Sequence, residues 1–207
     1  MRIAVAGGTG VVGRHAVEAA RAAGHEVVVL SRSSGADVLT GAGLDERMQG
    51  ADAVIDVTNT TTLSAAKAVK FFETATRNLL AAESRAGVTH HVALSIVGID
   101  GIDASYYAGK LAQERAVAAG SVPFTIARAG QFHEFAGQLL SRMSGPVAVL
   151  PKLLMRPVAA REVGEHLVRV AEGAPAGRAS DLVGPRNEVL ADVARRQLAF
   201  DLSLIHI

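Results

Sequence analysis

Short apolar runs alternate along the chain with longer segments in which apolar residues recur at helical spacing. The short runs are almost continuous, which is typical of strands in a parallel sheet that helices cover on both faces. Alternation of this kind indicates βαβ units. It predicts strands at Arg2–Ala6, Glu26–Leu30, Ala53–Val57, His91–Leu94 and Phe124–Ala127, and a weaker strand at Ala36–Leu39. The helices predicted between them are Val11–Ala23, Ala65–Ala86 and Tyr106–Ala119.

The pattern changes after Gly130. The segments predicted beyond it are a helix at His133–Met143, a strand at Val147–Leu150, a helix at Arg161–Ala171, a weak strand at Asp181–Val183 and a helix at Glu188–Ala199. We therefore expect an α/β fold with two parts. Residues 1–130 form a doubly wound, mostly parallel sheet domain, and residues 131–200 form a small C-terminal lobe that supplies the substrate pocket.

The last residues, 201–207, differ in composition from the Ala-, Arg- and Gly-rich chain before them. We interpret this segment as an extraneous tail and expect that the natural C-terminus is missing, which would truncate the C-terminal lobe. The alternative is that these residues form a short terminal strand.

Composition excludes several classes of function. The chain of 207 residues is 49% hydrophobic and 20% charged, with a formal net charge of +1, so no basic excess favours nucleic acid or an anionic membrane. It contains no Cys, which excludes disulfides, thiolate metal sites and Cys nucleophiles. No apolar run reaches the roughly 18 residues of a membrane helix. A cytoplasmic location is the expectation.

A glycine-rich turn follows the first strand directly. Gly8, Gly10 and Gly13 fit the dinucleotide-binding fingerprint, and Gly7, Gly10 and Gly13 fit its shifted variant. Glycines in this pattern make a tight turn, let the backbone approach a pyrophosphate and let the helix pack closely on the strand. The helix N-terminus then faces the phosphates. The sequence therefore predicts an NAD(P)-binding Rossmann domain, with cofactor contacts from Gly7, Thr9, Gly10, Val11, Val12 and Gly13.

The residues after the second predicted strand indicate which dinucleotide is bound. An acidic residue there would hydrogen-bond the ribose of NAD, but the chain has Ser31, Arg32 and Ser33 instead. The arginine and the hydroxyls suit a 2′-phosphate. We therefore predict NADP(H) in preference to NAD(H). Asp37, slightly further along the chain, leaves NAD(H) open as the alternative.

The chain resembles the atypical short-chain dehydrogenase/reductase superfamily, and within it the NmrA-like NAD(P)-binding proteins. The motifs that carry the resemblance are Gly7–Gly13, Ser31-Arg32, Val54–Thr58, Ala93–Gly98 and Tyr106–Lys110. The resemblance implies a Tyr-x-x-x-Lys pair, matched by Tyr106 and Lys110, and a Ser that orients a substrate carbonyl, matched by Ser95. It also implies that Lys110 hydrogen-bonds the ribose next to the nicotinamide.

The residues themselves fit those roles. The i, i+4 spacing predicts that Tyr106 and Lys110 share one helical face, where the ammonium is expected to lower the pKa of the phenol. Ser95 follows a strand at its carboxyl end, where ligands bind in open α/β sheets. Two alternatives stay open: Tyr107 faces the cofactor instead, and Ser95 only ends a strand or caps the next segment.

Further cofactor contacts are predicted from Thr58, Asn59 and Thr60, which follow the third long strand. Residues 127–130 are expected to close over the nicotinamide. No metal is predicted. His90 and His91 are adjacent on a strand and point to opposite faces, and His133-Glu134 lacks the second His of a zinc motif.

The leading hypothesis is therefore an NADP(H)-dependent oxidoreductase that acts on a small carbonyl or quinone. Ser95, Tyr106 and Lys110 would be its catalytic residues. The alternative is a non-catalytic NAD(P)-binding redox sensor or regulator of the NmrA-like type. The expected partner is a small-molecule substrate, and a homodimer or a protein bound at the C-terminal lobe is left open.

Overall fold

A single six-stranded parallel sheet organises the computed structural model, which describes residues 1–141, 150 and 152–205. The strand order is β2-β1-β3-β4-β5-β7, and β6 and β8 form a separate antiparallel pair. The strands are β1 Arg2–Ala6, β2 Glu26–Leu30, β3 Ala53–Asp56, β4 His90–Ile96, β5 Phe124–Ala129, β6 Leu154–Met155, β7 Gly177–Arg178 and β8 Glu188–Val189.

Helices cover both faces of the sheet, as the continuous apolar strands require. They are α1 Val11–Ala22, α2 Leu44–Met48, α3 Ala65–Ala86, α4 Ser105–Ala118, α5 Glu134–Leu140, α6 Ala160–Glu172 and α7 Leu190–Ile205. On one face α1 and α6 pack over Ile3 and Val5, and on the other α2 and α3 pack over Ala4 and Ala6. The predicted doubly wound α/β fold is confirmed. No helix in the described ranges is long and apolar enough to cross a membrane.

The strand order defines where a ligand fits. From β1 the chain builds the sheet outward to β2 on one side, and then crosses to β3 on the other side of β1. The connections after β1 and β3 therefore leave in opposite directions. This opens a crevice at their carboxyl ends, which is where open α/β sheets bind ligands.

Helix α4 packs against α3 at Gly109, where there is no room for a side chain. A Cβ there would come within 2.7 Å of Phe72 Cδ2 and 2.8 Å of the Ala68 Cβ. Interiors packed this tightly hold neighbouring helices at a defined height and rotation. The contact fixes the face of α4 that carries Tyr106 and Lys110.

Most predicted elements match the structure, with three corrections. The helix predicted at Glu188–Ala199 begins only at Leu190, because Glu188–Val189 pair with β6 as strand β8. The predicted strand Ala36–Leu39 is wrong: the Val38 and Leu39 carbonyls accept hydrogen bonds from Asn78 Nδ2, at 2.9 and 3.0 Å, and pair with no neighbouring strand. The predicted strand Asp181–Val183 reduces to a single bridge between Leu182 and Ala129.

The chain after residue 130 contributes to two structures. Helix α6 and strand β7 complete the main sheet, whereas α5 and α7 pack around Met155 and Leu190 beside the β6–β8 pair. The predicted boundary at residue 130 stays a prediction. Of the predicted strand Val147–Leu150, residues 147–149 lie outside the described residues. Helix α7 runs through Ile205, so the alternative of a terminal strand is wrong, and the extraneous origin of residues 201–207 stays a prediction.

Candidate functional site

The turn between β1 and α1 admits only glycine at two positions. Gly7 has a φ of +80°, and a Cβ there would lie 2.9 Å from the Val57 carbonyl oxygen. A Cβ on Gly13 would overlap the Gly7 carbonyl oxygen and lie 2.7 Å from Gly8 Cα. The first turn of α1 consequently packs directly against the backbone that leaves β1.

The N-terminus of α1 is left without a side-chain cap. Gly10 is the N-cap residue, no side chain accepts a hydrogen bond there, and the first turn contains no acidic residue. The first amides of a helix have no partner within the helix and carry the positive end of its dipole. With Thr9 exposed beside them and Val11 and Val12 in the first turn, this end of α1 can hold a phosphate.

The end of β2 carries a cluster of hydroxyl groups around an exposed arginine. Ser31 Oγ lies 3.0 Å from Ser33 Oγ and 3.2 Å from Ser34 Oγ. Arg32 is exposed, and within the described residues its guanidinium makes no hydrogen bond or ion pair. Arg32 can contact a phosphate without breaking an existing bond, whereas the hydroxyls of Ser31 and Ser34 would have to exchange their present hydrogen bonds.

Asp37 is occupied locally. Its Oδ1 accepts a hydrogen bond from the Leu39 backbone N–H at 2.8 Å, which makes a tight Asx turn. The carboxylate therefore stabilises the loop that replaces the predicted strand.

A buried network connects the ends of β3 and β4 to helix α4. Lys110 Nζ donates to the Leu94 carbonyl at 2.9 Å and to Gln113 Oε1 at 2.8 Å. Gln113 Nε2 donates to Asp56 Oδ2 at 2.8 Å, and Asp56 Oδ1 accepts from Thr58 N–H at 2.9 Å. Asp56, Lys110 and Gln113 are all buried. Asp56 and Gln113 were not predicted as site residues: Asp56 lies in the Val54–Thr58 motif but was given no role there, and Gln113 belongs to no recognisable motif.

Tyr106 contacts the loop after β3 and not Lys110. Its hydroxyl donates to Asn59 Oδ1 at 2.8 Å, while Lys110 bonds elsewhere. Phe72 contacts both residues: its ring centroid is 5.7 Å from that of Tyr106 and 4.5 Å from Lys110 Nζ. Tyr106 and Lys110 lie on one face of α4, as the spacing predicts. Both contact the Phe72 ring there, and each side chain forms its hydrogen bonds with other partners. Tyr107 lies beside Tyr106, with 6.1 Å between ring centroids.

Burial governs the protonation of this pair. It raises the pKa of the Tyr106 phenol well above its usual value, and the Tyr107 and Asp56 charges act in the same direction. Burial lowers the pKa of Lys110 to about 8, although Asp56 and Glu114 oppose that change. The expectation that Lys110 lowers the pKa of Tyr106 is therefore wrong, because Lys110 bonds a carbonyl and an amide and loss of hydration dominates at the phenol.

Two buried hydroxyl groups at the carboxyl edge of the sheet have no partner. Ser95, near the end of β4, is 2% exposed, and Thr58, after β3, is 5% exposed. Neither hydroxyl has a hydrogen-bond partner within the described residues. A buried polar group without a partner is costly, but both oxygens are closed to solvent, so a ligand could complete their bonding only after neighbouring groups uncover them.

An ion-pair cluster fixes the loop that follows Ser95. Arg128, which pairs with Ser95 in the β4–β5 register, makes two hydrogen bonds to Asp100 in that loop and two to Glu114 on α4. The Arg128 guanidinium holds the pKa of Asp100 below its usual value. The sequence pattern did not reveal this cluster, because its members lie on three separate elements.

The histidine pair is structural. His90 Nε2 lies 2.8 Å from Thr125 Oγ1, and His91 Nδ1 lies 2.8 Å from Glu83 Oε1. Burial opposes the charge of His91, but Glu83 outweighs it and raises the pKa. Across residues 1–141, 150 and 152–205, no group of three His, Cys, Asp or Glu side chains is arranged to hold a metal ion.

The residues present fit a nicotinamide dinucleotide. The uncapped helix and the all-glycine turn suit a pyrophosphate, and the crevice between β1 and β3 runs from the Arg32 cluster toward Thr58 and Ser95. Thr58 and Ser95 lie near the carboxyl ends of β3 and β4, at the edge of the sheet where such a ligand binds in this class of fold. The geometry defines the class: a dinucleotide-binding α/β domain.

Comparison with known proteins agrees with that class. The sequence profile of the NAD(P)H-binding family matches residues 7–146, so the chain belongs to that family. This match confirms the predicted NAD(P)-binding domain. A comparison with curated proteins finds no match.

Solved structures share the fold. They include a dTDP-glucose 4,6-dehydratase from Streptomyces venezuelae with bound NAD, with a TM-score of 0.76 and 20% identity over 96% of this chain and 80% of that one. A UDP-N-acetylglucosamine 4-epimerase from Bacillus cereus has a TM-score of 0.74 and 18% identity, over 94% of this chain and 79% of that one. A Citrobacter sp. triphenylmethane reductase complexed with NADP(H) has a TM-score of 0.73 and 18% identity, over 94% of this chain and 74% of that one. At these identities the likeness shows the fold alone.

The unpartnered hydroxyl of Thr58 gives a first test. Replacing a buried, unbonded hydroxyl by a methyl group removes a desolvation cost, so Thr58→Val should raise the free energy of unfolding by about 1 kcal/mol. It should also weaken NADP⁺ binding about fivefold, since a net hydrogen bond is worth about 1 kcal/mol. Chemical denaturation and calorimetry measure the two effects.

Thr76 in α3 is the matched control, because its hydroxyl is equally buried and unpartnered but lies away from the crevice. Thr76→Val should be stabilising in the same way and should leave NADP⁺ affinity unchanged. Equal NADP⁺ affinity in Thr58→Val and wild type would contradict the assignment of Thr58.

Proposed function

We propose that the protein is an NADP(H)-dependent oxidoreductase of the atypical short-chain dehydrogenase/reductase type, and that it reduces a small carbonyl compound or a quinone. The observation that carries this proposal is the uncapped N-terminus of α1 behind a turn that admits only glycine, which suits the pyrophosphate of the cofactor. The Ser95 hydroxyl, buried at the carboxyl edge of the sheet, would donate to a substrate oxygen only after a rearrangement that uncovers it. The assignment to the NmrA-like group, the cytoplasmic location and a partner at the C-terminal lobe stay predictions.

The preference for the phosphorylated cofactor rests on charge. Arg32 is an exposed cation at the end of β2 and makes no ion pair with the residues that the structure describes, and Ser31 and Ser33 carry hydroxyl groups beside it. Asp37, the residue that would favour NAD(H), is bonded to the Leu39 backbone N–H. An arginine beside hydroxyls matches a phosphate monoester better than a ribose diol.

The chain's own groups suit a reduction. NADPH would supply the hydride, and Tyr106 would supply the proton, because its raised pKa keeps the phenol protonated at neutral pH. Ser95 would hold the substrate oxygen. Two of the three Lys110 protons are used by Leu94 and Gln113, and the ammonium lies over the Phe72 ring, so a bond to a ribose hydroxyl would need the third N–H to turn away from that ring.

A second function is favoured by one observation. Lys110 contacts the Leu94 carbonyl and not Tyr106, and the phenol is a weaker acid than an isolated tyrosine. A non-catalytic NAD(P)-binding sensor would need no activated tyrosine. The two functions share the cofactor site and differ only in whether turnover occurs.

The cofactor preference is tested by charge reversal at Arg32. Wild type should bind NADPH at least tenfold more tightly than NADH, because a charge-assisted phosphate contact is worth about 1.5–3 kcal/mol. Arg32→Asp should reverse this order. Arg21→Asp, on the last turn of α1, is a control with the same change of net charge and should keep the preference. Equal affinity of wild type for both cofactors, measured by calorimetry, would refute the role of Arg32.

Turnover separates the enzyme from the sensor. With a panel of carbonyls and quinones, NADPH oxidation should be measurable, and Tyr106→Phe should lower kcat by about 10²–10⁴-fold with little change in NADPH affinity. Tyr107→Phe is the matched control and should retain turnover. A loss confined to Tyr107→Phe would assign the proton to Tyr107. Tight NADPH binding without oxidation by any substrate would support the sensor.

A further inference from the structure

Tyr106 has one proton, and its direction is fixed in this structure. Asn59 Oδ1 accepts the Thr60 backbone N–H at 2.8 Å, so the atom that faces Thr60 must be the amide oxygen. The same oxygen lies 2.8 Å from the Tyr106 hydroxyl. Tyr106 must therefore donate to Asn59, and its proton is directed at the loop after β3.

A proton held in this way is not available to a substrate. A phenol donates one hydrogen bond and can accept others, so donation to a substrate oxygen requires that the bond to Asn59 break. Lys110 cannot compete for Tyr106, because its bonds go to Leu94 and Gln113. Asn59 is thus the group that decides whether the Tyr106 proton is free.

Asn59 belongs to an exposed part of the predicted cofactor-binding loop. Thr58 is anchored by its N–H bond to Asp56 and is buried, whereas Asn59 is exposed. Loop residues 57–64 have no regular secondary structure. A dinucleotide that contacts Thr58 and Thr60 would therefore change the position of Asn59, which lies between them.

We propose that Asn59 is a positioning residue that holds the Tyr106 proton in the free protein, and that cofactor binding to the loop withdraws Asn59 and releases this proton toward the substrate. The inference rests on the proposed function. It implies that the site becomes competent to donate a proton only after the cofactor is bound. The coupling runs through one hydrogen bond between two adjacent segments.

The composition supplies a direct readout of this bond. The chain has two tyrosines, Tyr106 and Tyr107, and no Trp. With tyrosine labelled by ¹³C at the ζ carbon, the protein gives two signals that respond to hydrogen bonding of each phenol, and Tyr107→Phe assigns them. Spectra are compared for wild type and Asn59→Ala, each free and saturated with NADP⁺.

The proposal predicts that the Tyr106 signals of wild type and Asn59→Ala differ in the free proteins and coincide in the saturated ones. Effects of the cofactor ring itself are common to both proteins and cancel in this comparison. Asn78→Ala is the control, since in the described part of the chain the Asn78 amide donates to the Val38 and Leu39 carbonyls, far in sequence from Tyr106, and its Tyr106 signal should follow wild type in both states.

Two results would overturn the proposal. Identical signals in the free proteins would show that Asn59 does not hold the Tyr106 hydroxyl. A difference that persists at saturation would show that the cofactor does not release it. With either result, NADP⁺ binding to wild type measured by calorimetry would still support the proposed function. Absence of NADP⁺ binding would overturn both the proposed function and the role of Asn59.

Discussion

The contact between Gly13 and the backbone of Gly7 and Gly8 is the constraint on which the rest of the site depends. A Cβ on Gly13 would overlap the Gly7 carbonyl oxygen, so no other residue allows α1 to begin this close to the end of β1. The close approach brings the uncapped amides of α1 to the crevice beside β3. Phosphate binding follows from backbone geometry, because the amides and the helix dipole act together.

At the far end of the crevice, a buried polar network holds helix α4 in position against the sheet. Asp56, Gln113 and Lys110 form a continuous chain of hydrogen bonds between β3, β4 and α4, and Gly109 lets α4 pack tightly on α3. Buried polar groups are stable only when they are satisfied, so this chain specifies one position for the helix.

Much of the fold was predictable because burial on both faces makes strands continuous in apolar residues. Strands β1 and β2 match their predicted limits, and the glycine pattern located the turn. The strand predicted at Ala36–Leu39 failed because Asn78, distant in sequence, takes its carbonyl groups. For the site, the sequence predicted residue types and not their contacts. The i, i+4 spacing put Tyr106 and Lys110 on one face of α4, but the Tyr106 hydroxyl bonds a residue from another element. The direction of its pKa change could not be predicted either, because it depends on burial.

The central claim is that backbone contact at the glycine turn creates the cofactor site. Calorimetric titration of NADP⁺ into Gly13→Ala, with circular dichroism to verify the fold, tests it most directly. The displaced helix should weaken binding by more than tenfold, a loss of at least about 1.4 kcal/mol. A folded Gly13→Ala protein that binds NADP⁺ as tightly as wild type would contradict the account.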